Sequence, residues 1–184
     1  ADAHGLKQAM AAYRERLDVL AAPNDALPLE FVEPDGIQNI IDLARSSYDF
    51  VIIDVPQALV SWSEIVLEAA HLYFGVLELD MRSAQNTLRF VRTLKAEDLP
   101  FEKVQFALNR APKFTDMSGK GRVKRMAESL EIEFRYQLPD GGKPVSNAGD
   151  EGVPLAEIAA KNPLRKEILK IAKTISELAT DEAE

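Results

Sequence analysis

Two rhythms of apolar residues alternate along this chain. Short, mostly apolar runs are separated by stretches in which apolar positions recur every three or four residues. The first rhythm predicts buried strands and the second predicts amphipathic helices. The runs are 17–21 (LDVLA, stopped by Pro23), 50–53 (FVII), 72–79 (LYFGVLEL), 104–108 (VQFAL) and 132–136 (IEFRY). The 50–53 run is short and rich in β-branched residues, and it ends at Asp54. Helical spacing marks Ile37, Ile40, Ile41 and Ala44, then Trp62, Ile65, Val66 and Ala69. It returns at Ala84, Leu88, Val91 and Leu94, where Ser83 can cap the helix, and again over 123–130. A last helix starts near Pro163 and carries Leu164, Ile168, Ile171, Ile175 and Leu178 on one stripe. Residues up to about Tyr13 are compatible with helix. Pro34-Asp35-Gly36 and Pro139-Asp140-Gly141-Gly142 read as turns, 113–121 as a polar loop, and the acidic residues from Asp181 as a fraying tail.

Strands that alternate with helices, and that are apolar on both faces, require cover on both sides. The order therefore predicts an α/β fold of three layers, a mostly parallel sheet flanked by helices and joined by right-handed crossovers. Ligands of such sheets bind beyond the C-terminal ends of the strands. That singles out the residues that follow each run: Asp54, Asp80, Asn109, Pro139 and Asp140.

Composition narrows the chemistry. A chain of 184 residues suits one domain with a hydrophobic core of its own. It has no cysteine, which excludes disulfides and cysteine zinc sites. The net charge of −8 argues against broad binding to nucleic acid or anionic lipid. One basic cluster stands out, Lys113, Lys120, Arg122, Lys124 and Arg125. It reads as a solvated face or as a contact surface for a partner. No apolar run is long enough to span a bilayer and no signal-peptide pattern opens the chain, so a cytoplasmic protein is expected. His4 and His71 are the only histidines, and no Ser/His/Asp set or metal-ligand spacing accompanies them.

Several motifs fit nucleotide chemistry. A carboxylate at the end of a buried strand, as Asp54 is, can orient the shell of a hard cation. An asparagine at a strand end, as in 106–110 (FALNR), offers both a donor and an acceptor to a base edge, although such a residue is also a common turn former. Asp80, followed by Ser83, suits a helix start better than a catalytic acid.

The string YDFVIIDVP (48–56) resembles the second nucleotide motif of the MinD/ParA family of P-loop NTPases. FALNR resembles the family's adenine-side strand. Leu138-Pro139-Asp140, with Ala148, Gly152, Pro154 and Leu155, resembles its C-terminal signature. Trp62 and Ser63 after Pro56, together with RLDVLAAP (16–23), resemble the CpaE/TadZ branch, the ATPase-like factors of type IVc (Flp/Tad) pilus assembly. This resemblance spans most of the chain from Arg16 to Leu178. It implies ATP and Mg as cofactors of the intact family member, with Asp54 on the metal side and Asn109, Arg110, Pro139 and Asp140 at the nucleotide. It also implies a homodimer, pilus secretion proteins as partners, peripheral association with the membrane via such partners, and location at a cell pole. An active ParA/MinD-type ATPase of partitioning or division-site placement is the alternative, and a flavodoxin-like binding domain is a third class.

Departures from the family are specific. Gln57 and Ala58 stand where MinD-like members carry a glycine after the proline. No G-x-x-x-x-G-K-[ST] loop occurs: Phe114 and Gln137 occupy the first-glycine positions ahead of Gly119-Lys120 and Gly142-Lys143. The resemblance thus implies a partial ATPase domain over 1–184 that begins after the phosphate-loop strand. It binds no nucleotide alone, and it carries an exposed sheet edge that favours pairing with another chain.

Overall fold

The computed structural model describes residues 2–22, 33–56 and 59–181. The chain forms two compact units, Ala1–His71 and Leu72–Glu184.

In the first unit, helix α1 (Ala3–Ala9) is opened by Asp2, whose carboxylate accepts the Gly5 N–H at 2.7 Å. The chain then leaves helical geometry. Strand β1 (Ala11–Tyr13) pairs antiparallel with β2 (Leu17–Val19), Ala11 opposite Val19. This corrects two expectations. The stretch ending at Tyr13 is helical only to Ala9, and the apolar 17–21 run is a strand only over Leu17–Val19, in an exposed hairpin with Leu17 53% and Val19 44% accessible. An apolar run reports strand propensity, whereas burial depends on a covering layer, which a two-stranded hairpin does not itself supply. Pro23 lies outside the described residues.

Pro34 begins helix α2 (Pro34–Ser47) where a turn was expected. Proline has no N–H to donate, which costs nothing at the first helical position. Ile41 and Ala44 of α2 are buried as the spacing requires, and Ile41 packs with Trp62 and Val66 at the start of helix α3 (Ser63–Ala69). Trp62 is therefore a core residue. The Tyr48 hydroxyl donates to Asp18 at 2.7 Å, and Lys7 pairs with the same carboxylate. These contacts hold the Asp18 carboxyl below its ordinary range and raise Lys7 and Tyr48 above theirs.

The 50–53 run forms no strand among the described residues, against expectation. Phe50, Val51, Ile52 and Ile53 are 52%, 38%, 94% and 40% exposed. A strand exists only when a neighbour completes its ladder. In this unit, among the described residues, the paired strands are β1 and β2, which pair with each other.

The second unit carries the parallel sheet. Strand β3 (Tyr73–Leu77) leads to helix α4 (Met81–Ala96), and a 3₁₀ turn (Phe101–Lys103) leads to β4 (Val104–Ala111). Helix α5 (Met117–Leu130) and strand β5 (Phe134–Pro139) follow, then helices α6 (Lys143–Glu151), α7 (Leu155–Ile158) and α8 (Pro163–Asp181). The strand order is β3-β4-β5, all parallel, with β4 in the centre. Helices flank the sheet, which is the expected α/β class. Leu77, Val91, Phe106 and Leu130 form its main buried cluster, and Leu94 and Leu108 are fully enclosed.

Caps explain where two helices start differently from expectation. Asp80, rather than Ser83, caps α4: its carboxylate accepts the Ser83 N–H and the Ser83 hydroxyl, each at 2.9 Å. Asp116 accepts the Gly119 N–H at 2.8 Å and starts α5 inside the expected polar loop. Gly119 permits this tight start, since a Cβ there would lie 2.5 Å from Pro112 Cβ. Strand β5 runs on to Pro139 instead of stopping at Tyr136, and Asp181 belongs to α8 while 182–184 lie outside the described residues.

The Asp80 cap predicts a pH effect. The backbone N–H and hydroxyl of Ser83 hold the Asp80 carboxyl below its ordinary 3.8. That stabilisation is complete above 3.8 and is lost as pH falls through the lower folded-state value. Asp80→Asn keeps a competent cap and removes the titration. Denaturant midpoints measured across the acid range should therefore fall less steeply in the variant. Equal slopes would refute the cap's electrostatic role.

Candidate functional site

The C-terminal ends of β4 and β5 bring together four of the residues that the sequence singles out. Parallel pairing sets Ala111 opposite Pro139, so Asn109 and Arg110 lie one strand away from Pro139 and Asp140. The approach is irregular. From the Leu108–Gln137 pair to the Ala111–Pro139 pair, β4 advances by one residue more than β5. The extra residue is a bulge, and Arg110 adopts a left-handed φ of 48° within it. Bulges bend a strand and re-aim its side chains, and they concentrate beside functional sites. Glu78, which follows β3, anchors the bulge. It accepts from Asn109 Nδ2 at 3.3 Å and lies 3.6 Å from Arg110 Nε.

The other half of the site is the loop after β5. Asp140 accepts the Gly142 N–H at 2.9 Å through Oδ1, a tight Asx turn. Gly142 takes φ 63° and ψ −155°, a region that is essentially restricted to glycine. Gly141 is buried, and a Cβ there would meet Val145 Cγ2 at 2.3 Å. The loop leads into α6, which ends at Gly152 with φ 62° and buries Ala148. The Ala148, Gly152 and Pro154 positions are thus a helix end and the start of the next turn.

Asp54 lies in the other unit, exposed, in a segment without regular structure. Its neighbour Val55 packs on the Ile41–Trp62–Val66 core, which fixes the chain beside it. Gln57 and Ala58 lie outside the described residues. No group of three or more metal-ligating side chains occurs among the described residues. A hard cation at Asp54 would draw its remaining oxygens from water or a bound phosphate.

The basic cluster is largely engaged within the chain. Lys120 Nζ sits 3.5 Å from the Phe114 ring centroid, Arg122 donates to the Leu79 carbonyl at 3.1 Å, and Lys124 lies 3.8 Å from Glu128. His71 and Arg45 approach to 3.2 Å at the end of α3, a structural contact. Among the described residues, no helix is long and apolar enough to cross a membrane.

Sequence reasoning missed Glu78 and Asn162, and marked Gly141 only as part of a turn. The Asn162-Pro163 pair in front of a periodic apolar stripe is a helix-start signal that could have drawn attention to Asn162.

No family model matches the sequence and no curated protein does. Solved structures do match. A ParA family ATPase from Chlorobium tepidum TLS superposes with a TM-score of 0.83 at 20% identity, over 94% of this chain and 70% of that one. The MinD cell division protein of Aquifex aeolicus gives 0.64 at 19% identity, over 80% and 62%. The MinC:MinD cell division protein complex from the same organism gives 0.64 at 19%, over 79% and 59%. The chain thus spans about three-fifths of the MinD proteins' length. At this identity the likeness establishes a shared α/β fold.

Proposed function

We propose that this chain is part of a MinD/ParA-type nucleotide-binding domain, in which Asn109, Arg110, Pro139 and Asp140 contact the adenine side of ATP and Asp54 serves the magnesium side. The observation that carries this reading is the bulge at Asn109–Arg110 beside the Pro139–Asp140 turn. Both lie at the strand ends where ligands of parallel sheets bind. The chain's own residues would bind and orient. The Asn109 amide offers a donor and an acceptor to a base edge, and the Asp54 carboxylate holds the water shell of a cation. The magnesium ion would screen and polarise the phosphates. Phosphate cradling has no residues here, since no phosphate-binding loop motif occurs in the 184 residues.

The parent factor, on this reading, localises and assembles type IVc pilus secretion machinery at a cell pole in the CpaE/TadZ manner. It works as a homodimer with secretion proteins as partners. The supports are the Pro56–Trp62–Ser63 spacing and the opening RLDVLAAP string. A partitioning or division-site ATPase is the second reading, favoured by the ParA and MinD identities of the structural neighbours.

Calorimetry tests the shared premise. The 184 residues alone should show no ATP binding, and micromolar binding with magnesium would refute that. The full-length protein should bind ATP, and Asn109→Ala should weaken it about 10-fold, the scale of one or two hydrogen bonds. Asp54→Asn should remove the magnesium dependence. Unchanged binding in both variants would sink the site assignment.

A further inference from the structure

Asn162 sits between two elements that are distant in sequence. It is 7% exposed, and both ends of its amide are occupied. Its Oδ1 accepts the Leu164 N–H at 2.9 Å, and its backbone carbonyl accepts from Lys166 at 3.1 Å, so it caps α8. Its Nδ2 donates to the Gly141 carbonyl at 2.8 Å, across to the loop that follows β5. Gly141 is pressed against the same group: a Cβ on it would lie 3.2 Å from Asn162 Oδ1 and 3.2 Å from Leu164 Cδ2. A cap needs only an acceptor, and serine, threonine or aspartate would supply one. A donor is needed only for the second bond. Asparagine provides both, and its length reaches the carbonyl.

We infer that Asn162 is a positioning residue: it latches the Pro139–Asp140–Gly141–Gly142 loop to the start of α8, and so sets the loop's placement beside the Asn109–Arg110 bulge. The consequence for ligand selection rests on the nucleotide reading proposed above; the latch itself does not. If the loop borders the base, the latch governs discrimination between bases and leaves phosphate affinity alone.

The variant that separates cap from latch is Asn162→Ser, which retains an acceptor for Leu164 and cannot reach Gly141. In the full-length protein, amide exchange at Gly142 and Val145 should accelerate about 5- to 10-fold, the loss of one buried hydrogen bond, while protection within α8 stays unchanged. Should the variant fail to fold, the wild-type protein decides the point: the Asn162 side-chain amide protons must exchange slowly. Fast exchange there, or unchanged loop exchange in Asn162→Ser, overturns the latch. Affinities for ATP, GTP and inorganic tripolyphosphate then read the function. The ATP-to-GTP preference should fall by a similar factor with tripolyphosphate binding unaltered. Equal weakening for all three would reduce Asn162 to a structural cap. A loosened loop with an unchanged base preference would keep the latch and remove the loop from the base.

Discussion

Leu108→Ala should destabilise the unit that spans Leu72–Glu184 by about 2–5 kcal/mol, the range for emptying a leucine-sized space in a core that relaxes only partly. Leu108 lies on the central strand β4 and has no accessible surface. Its neighbours on β3 and β5, Leu77 and Gln137, are held by strand pairing and cannot collapse inward freely. Domains of this size have about 5–15 kcal/mol in all, so the variant should lie close to its unfolding midpoint at modest urea. Val76→Ala, on β3 and 59% exposed, is the control and should stay within about 0.5 kcal/mol of wild type. Urea titrations followed by far-ultraviolet circular dichroism make the comparison. Similar small losses in both variants would mean that the face of β4 carrying Leu108 is not enclosed.

Gly142→Ala should cost about 1–3 kcal/mol even though space is available. An added Cβ would approach nothing nearer than Pro144 Cδ at 4.0 Å. The penalty is backbone strain at φ 63° and ψ −155°, offset only in part by the stiffer unfolded chain. Gly149→Ala makes the contrast. Gly149 lies inside α6, faces open space and has an ordinary helical backbone, so alanine should stabilise by about 0.4–1 kcal/mol. Two glycines seven positions apart are thus expected to respond with opposite signs. Paired thermal and urea unfolding would test this, and a neutral Gly142→Ala would contradict the loop geometry after β5.

The second unit was legible in sequence because its signals are redundant. Within the 104–108 run Phe106, Ala107 and Leu108 are apolar on consecutive positions, as a strand buried on both faces must be, and Ala84, Leu88 and Val91 pack in the cluster around Phe106. Element starts were less legible. Whether Asp80 or Ser83 caps α4 depends on which side chain points back to a free N–H, and both residues are good caps. In the first unit the rule failed for a physical reason. The 17–21 and 50–53 runs have the composition of buried strands, but burial is a property of what lies over them, and local sequence carries no record of that. The site was half legible. Asn109, Arg110, Pro139 and Asp140 are marked by strand ends and turn residues. Glu78 and Asn162 were not, because each acts through partners 31 or 21 positions away.

The bulge at Arg110 has a counterpart. Between the Phe106–Phe134 and Ala107–Tyr136 pairs it is β5 that carries the additional residue, so the two irregularities cancel and the strands leave the sheet in the register in which they entered. They behave like a pair of complementary frameshifts. Deleting a residue at one alone would leave the other uncompensated and carry a one-residue offset out to the strand ends, where Ala111 faces Pro139. Insertions or deletions at these two places should therefore be tolerated only in matched pairs, with the positions between them open to substitution alone.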